Sequence, residues 1–159
     1  MTTTAVRQSQ AVLSRDRDVM NERIQVQPRP AGVQPSREDA CRVGAMRRIA
    51  AARLRYCGLA ALIDEVTLVV SELVTNAVLH TRTSEVRVTI AVLDGFLVVT
   101  VIDGMPGLAT PRRADEVAES GRGLTLVAVV AEEHGGDWGT NDTGTETWCR
   151  LALPAERRP

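Results

Sequence analysis

Three short runs hold side chains and backbone capable of chemistry. The first is Glu72-Leu-Val-Thr-Asn76, where a carboxylate and an amide four residues apart share one face of a helix whose other positions are mostly apolar. A carboxylate so placed can take a proton from an attacking hydroxyl, and an amide oxygen can meet a cation. The plain alternative is a helix-end charge plus a hydrogen bond satisfied inside the fold. The second run is Asp103-Gly-Met-Pro-Gly107 at the end of a predicted strand, where the carboxylate can accept from an amino group and glycine lets the backbone approach a flat ring. Taken singly it reads equally well as a turn. The third is Gly121-Arg-Gly123, expected to open a helix whose free N–H groups and positive end favour an anion, with Arg122 able to reach a phosphate.

Helices, strands and turns must position these runs. Ser36, followed by Glu38 and Asp39, predicts the cap of a helix that runs to Tyr56 and stops at Gly58. A second, largely apolar helix is expected from about Leu59 to His80. Two alternating runs, Glu85 to Val92 and Phe96 to Ile102, flank Leu93-Asp94-Gly95 and predict an antiparallel hairpin. A Pro-, Gly- and charge-rich loop from Gly104 to Ser120 feeds the third helix, which is expected to begin at Gly121 and end at Gly135-Gly136. Two more strands, Asp137 to Asn141 and Thr145 to Leu153, are expected around Asp142-Thr-Gly144. The order lacks regular βαβ alternation, so the expected fold is α+β, a two-layer sandwich with helices on one face of a mixed, mainly antiparallel sheet. The other face is left to solvent or a partner.

Of the 159 residues, 1–36 are rich in Gln, Arg, Ser and Pro and are expected to be a mostly disordered tail, with a short strand at 23–27. Residues 37–154 form the single expected domain and 155–159 a C-terminal tail. All 19 basic residues are Arg, which excludes a catalytic Lys, a Schiff base and a Walker-type P-loop. The formal charge of −1 asks for no nucleic-acid or anionic-membrane partner. Cys41, Cys57 and Cys149 are odd in number and scattered, with no secretory leader, so a reducing, cytoplasmic setting is expected. His80, at a helix end, suits the dipole there, and His134 is also read as structural. Trp138 and Trp148 read as packing residues, and the pairs Arg47-Arg48 and Arg112-Arg113 as solvated faces.

Together, Val70-Ser-Glu-Leu-Val-Thr-Asn-Ala-Val-Leu-His80, Val101-Ile-Asp103 and Ser120-Gly-Arg-Gly-Leu-Thr-Leu126 resemble the N box and two glycine boxes of the ATPase superfamily shared by gyrase B, histidine kinases and MutL. The resemblance spans roughly residues 37–153 and is strongest to the stand-alone anti-sigma-factor serine kinases, especially short actinobacterial forms. It implies a Bergerat ATP-binding fold, ATP and Mg²⁺ as cofactors, and phosphoryl transfer to an anti-sigma antagonist by a protein that also sequesters a sigma factor. By the same resemblance, Asn76 would bind Mg²⁺, Glu72 would orient or deprotonate the attacking hydroxyl, and Asp103 would accept from the adenine amino group. Gly107 would lie beside the base. Gly121, Arg122 and Gly123, with Leu124 following, would hold the phosphates under a lid formed by residues 104–120, and the Thr145 hydroxyl would join the adenine network. Homodimerisation through the open sheet or first helix is a further expectation of the resemblance. Two positions depart from the pattern: Met105 replaces the middle glycine of the first glycine box, and Glu146 stands where a second hydroxyl is common. The alternative function is a non-catalytic regulator in which nucleotide only switches partner binding.

Overall fold

The computed structural model describes residues 16–27, 36–80, 84–103, 114–142 and 144–154, with the backbone alone for His80 and residues 114–123. The first helix, α1 (Arg37–Tyr56), begins as the sequence predicts: the Ser36 hydroxyl accepts the Asp39 N–H at 3.1 Å, and Glu38 and Asp39 lie in the first turn. Its end is set by Gly58, whose φ of 75° is cheap only for glycine. The Leu59 N–H then returns to the Leu54 carbonyl at 2.8 Å and the Gly58 N–H to Arg55 at 3.2 Å, which closes a Schellman motif. A single 3₁₀ turn (Ala60–Leu62) leads into α2 (Ile63–His80), so the second helix is α-helical from Ile63 rather than Leu59.

The strands form one antiparallel sheet in the order β1-β2-β3-β5-β4, from β1 (Arg17–Gln25), β2 (Glu85–Leu93), β3 (Phe96–Ile102), β4 (Asp137–Thr140) and β5 (Glu146–Ala152). The β2–β3 hairpin turns through Asp94 and Gly95 with φ of 51° and 80°, the two left-handed residues of a type I′ turn. Alternation drives one face of each strand into the core: Val86, Val88, Ile90 and Val92 from β2, Leu97, Val99 and Val101 from β3, and Cys149 and Leu151 from β5. Onto that face pack α1, α2 and α3 (Ala114–Glu133), giving the expected two-layer α+β arrangement, with every strand pairing antiparallel. The strand expected at 23–27 is longer and earlier, at Arg17–Gln25. A bulge between Asp18 and Met20 buries Val19 and Met20 in succession, and this break in the period-two pattern hid the first half of the strand. The third helix likewise begins at Ala114 rather than Gly121, because Ala114-Asp-Glu-Val-Ala-Glu119 is rich in good helix formers with acids near the N-terminus.

The opposite sheet face carries Phe96, Val98, Thr100, Trp148 and Arg150. Arg150 lies 4.9 Å from the Phe96 ring centre and 5.5 Å from that of Trp148, within cation–π range. Its guanidinium also grips Asp137 across β4 and β5, through contacts of 2.6 and 2.9 Å. The hydrogen bond from Arg150 holds the Asp137 carboxyl below its ordinary value. A depressed folded-state value means that this contribution is present above the unfolded pKa and is lost as the pH falls through the folded one. We therefore expect Asp137 to titrate below an ordinary carboxylate by NMR, and its midpoint to rise towards that range in Arg150→Ala. Both groups are largely exposed, so the effect on stability should be small. On the inner face, burial pushes the Cys149 thiol up to about 12, so it stays protonated and unreactive at neutral pH. No described helix is long and apolar enough to cross a membrane.

Candidate functional site

Helix α2 carries Glu72 and Asn76 through the middle of the helical layer. Its neighbours Val66, Val69, Val70, Leu73, Val74, Ala77 and Val78 are buried, which fixes the rotation of the helix and hence the direction of the polar pair. Glu72 is half-buried, whereas Asn76 is 8% exposed. The Asn76 Oδ1 is fully buried without a hydrogen-bond partner among the described residues. Leaving such an acceptor unsatisfied costs about 1–3 kcal/mol. A hard cation that takes oxygen ligands would relieve that cost, so the residue fits Mg²⁺. Among the described residues no group of three or more acids, His or Cys could hold a metal. An ion at Asn76 would therefore draw its remaining ligands from water and phosphate, which is how Mg²⁺ commonly accompanies nucleotides.

Asp103 directly follows β3 and is half-buried; its backbone N–H donates to the Thr145 carbonyl at 3.0 Å, extending the β3–β5 ladder by one bond. Thr145 precedes β5, just after Gly144, whose φ of 69° completes the turn from β4. The structure thus joins Asp103 to Thr145 on adjacent strands, and Glu72 to Asn76 on one helical turn. Because α2 packs on β3 and on α3, the elements bearing these pairs are direct neighbours.

The second glycine box sits differently from the sequence expectation. Gly121, Arg122, Gly123 and Leu124 lie inside α3, and the unpaired N–H groups of that helix belong to its first turn at Ala114. Gly121 and Gly123 therefore do not form a helix N-terminus here. Leu124 is half-buried and packs against the core. Met105 and Gly107, with residues 104–113 of the expected lid, lie outside the described residues.

Other expectations resolve simply. His134 lies just after α3 with its Nε2 3.6 Å from Glu65 Oε1, tying the end of α3 to the start of α2. Trp138 points inward against the core and Trp148 outward onto Gly139. Arg47, with Ala40, Val43, Ser71, Thr75 and Val78, lines a cavity of about 230 Å³ between α1 and α2 to which none of the expected site residues contributes. Sequence reasoning missed Asn141. Its amide donates to Thr145 Oγ1 at 3.0 Å, and an Asn opening a turn before Gly is the signal that could have found it.

A largely apolar helix bearing Glu72 and Asn76 lies on the antiparallel sheet, with Asp103 and Thr145 side by side where β3 ends and β5 begins. Residues 36–151, well over half of the chain, match the family model of the histidine kinase-like ATPase domain, and the chain belongs to that family. No curated protein matches it.

Proposed function

We propose that this chain is an anti-sigma-factor-like serine/threonine protein kinase, cytoplasmic and Mg²⁺-dependent, which phosphorylates an anti-sigma antagonist and, when free of it, sequesters a sigma factor. The observation that carries the reading is the Glu72/Asn76 pair: a carboxylate one helical turn from a buried amide oxygen that lacks a partner among the described residues. In the reaction, the partner's hydroxyl oxygen bonds to the γ-phosphorus as the bond to the β,γ-bridging oxygen breaks. The hydroxyl proton passes to a Glu72 carboxylate oxygen, and ADP leaves. Bound Mg²⁺ would neutralise phosphate charge, with Asn76 Oδ1 among its ligands. Asp103 and Thr145 would read the base.

Incubation with labelled Mg·ATP and a candidate antagonist tests the proposal. Label appearing on a partner serine or threonine supports it, whereas binding without transfer supports the second reading, a non-catalytic nucleotide switch. Met105, where a glycine would let the backbone lie closer to the base, favours that second reading. Asn76→Ala separates the metal's part. Removing a buried orphan acceptor should leave the melting temperature within a few degrees, yet weaken Mg·ATP binding by about tenfold or more and flatten its Mg²⁺ dependence in calorimetry. An unchanged Mg²⁺ dependence would remove Asn76 from the metal site.

A further inference from the structure

The cavity of about 230 Å³ between α1 and α2 has an ordered lining. The two helices pack on each other and are joined by the short 57–62 connection, so they run in opposite senses. Ala40 and Val78 therefore fall at one end of the cavity, Val43 and Thr75 in the middle, and Arg47 and Ser71 at the other. One end is apolar, and the other gathers hydrogen-bond donors around a cation.

Those donors are uncommitted. Thr67 spends its hydroxyl on the Ile63 and Asp64 carbonyls at 2.7 and 3.2 Å, the usual place for a hydroxyl inside a helix. Ser71 and Thr75 continue the same row of α2, yet neither hydroxyl makes a hydrogen bond among the described residues. Arg47 likewise makes no ion pair among the described residues. Its neighbours three and four positions away on α1 are Val43, Gly44, Ala50 and Ala51, none of them acidic. The acids of α1 are Glu38 and Asp39, both in the first turn, and Asp39 is already paired with Arg42 at 3.1 Å. On α2, Glu72 follows Ser71 but does not line the cavity. The Arg47 Nη2 lies 3.6 Å from where a Cβ on Gly44 would stand, so the side chain runs back along α1 towards Val43 and the rest of the lining.

We propose that this cavity is a binding site for a small amphiphilic anion, a carboxylate or phosphate head on a short aliphatic body, separate from the nucleotide site. The head takes the Arg47 fork and the Ser71 and Thr75 hydroxyls, all able to donate to an anionic oxygen. The aliphatic body lies against Val43, Ala40 and Val78. The cavity is somewhat smaller than the roughly 300–1,000 Å³ of pockets for drug-sized ligands, which suits a body of about six carbons.

Hexanoate and hexyl phosphate are the probes, titrated into the isotope-labelled full chain without nucleotide and followed by NMR. Shifts should concentrate on Val43, Arg47, Ser71 and Thr75, and the tighter probe identifies the head group. Hexanol, which lacks the charge, and inorganic phosphate, which lacks the body, should each bind about tenfold more weakly or worse. Arg47→Gln should weaken both anions about tenfold and leave hexanol unchanged. Ala40→Leu, which fills the apolar end, should weaken all three hexyl probes. Both positions are exposed, so the melting temperature should stay within a few degrees. Shifts spread evenly over the arginines of α1, or undiminished anion binding in Arg47→Gln, would reveal non-specific ion association and overturn the proposal. Absence of binding by either anion up to about 10 mM would do the same. Repeating the titration at saturating Mg·ATP separates this site from the proposed nucleotide pocket. Displacement of the probe by nucleotide would merge the two and overturn the proposal. A chain that binds no ATP defeats the proposed function, and the titration without nucleotide still decides this one.

Discussion

Glu72→Gln should lower the rate of phosphoryl transfer to the partner hydroxyl by about 10²- to 10⁴-fold while ATP affinity changes little. The replacement keeps the length and packing of a side chain on a helix fixed by buried valines and leucines, so the orientation of α2 should not change. What is lost is an oxygen able to accept the hydroxyl proton. With Glu72 acting on the attacking group as proposed, the deficit should fall on kcat and spare nucleotide binding, the reverse of the pattern expected for Asn76→Ala. Single-turnover transfer to the antagonist, measured beside ATP calorimetry, makes the comparison. A variant that transfers at the parental rate would place the base elsewhere, and a variant that no longer binds ATP would show that Glu72 serves binding instead.

The largest effect on stability should come from Gly136→Ala, where α3 hands over to β4. A methyl group there would lie 1.7 Å from the Arg150 carbonyl oxygen and 2.6 Å from its carbon, both in the backbone of the neighbouring strand. No side chain can rotate out of the way. Gly136 is also held by its N–H bond to the Ala131 carbonyl at 2.8 Å, so relief requires moving β5 or breaking that bond. We expect a loss of about 3 kcal/mol or more in urea unfolding, and a fall in melting temperature of roughly 10 °C. Gly135→Ala is the control. Its φ of 64° disfavours a side chain, but its added methyl would meet only the Ala152 Cβ at 3.6 Å, so about 1–2 kcal/mol is expected. Equal losses in the two variants would refute the steric explanation.

The two substitutions probe features of unequal visibility in the sequence. The placement of Glu72 and Asn76 on one helical face, the first helix with its Ser36 cap and Gly58 stop, and the Asp94-Gly95 hairpin all follow from local rules of spacing, capping and turn chemistry, and each stands where those rules put it. The overall α+β arrangement followed from the order of these elements. What local rules do not reveal is mostly non-local. The bulge at Asp18–Met20 becomes legible only once β2 is present to pair with it. The two glycines at 121 and 123 resemble a helix boundary, whereas the Ala- and Glu-rich stretch before them sustains the helix through them. Asn141 is hidden because a turn residue gives no sign of which hydroxyl its amide will reach. The meeting of Asp103 and Thr145 likewise depends on the β3–β5 register, which no single segment encodes.

The position of β1 bears on how the molecule can be handled. The family match begins at residue 36, yet β1 occupies Arg17–Gln25 and pairs with β2 along its whole length, placing Val19, Met20 and Val26 in the core. A fragment trimmed to the matched segment would lose an outer strand and lay bare the unpaired N–H and C=O groups of β2, a template for aggregation. It would also lose the Arg17 guanidinium that donates to the Cys57 carbonyl at 2.8 Å and so stitches the sheet edge to the end of α1. The packed unit is therefore larger than the segment that the family model matches, and any shortened version should start upstream of Asp16, whose carboxylate accepts the Asp94 N–H at the hairpin tip.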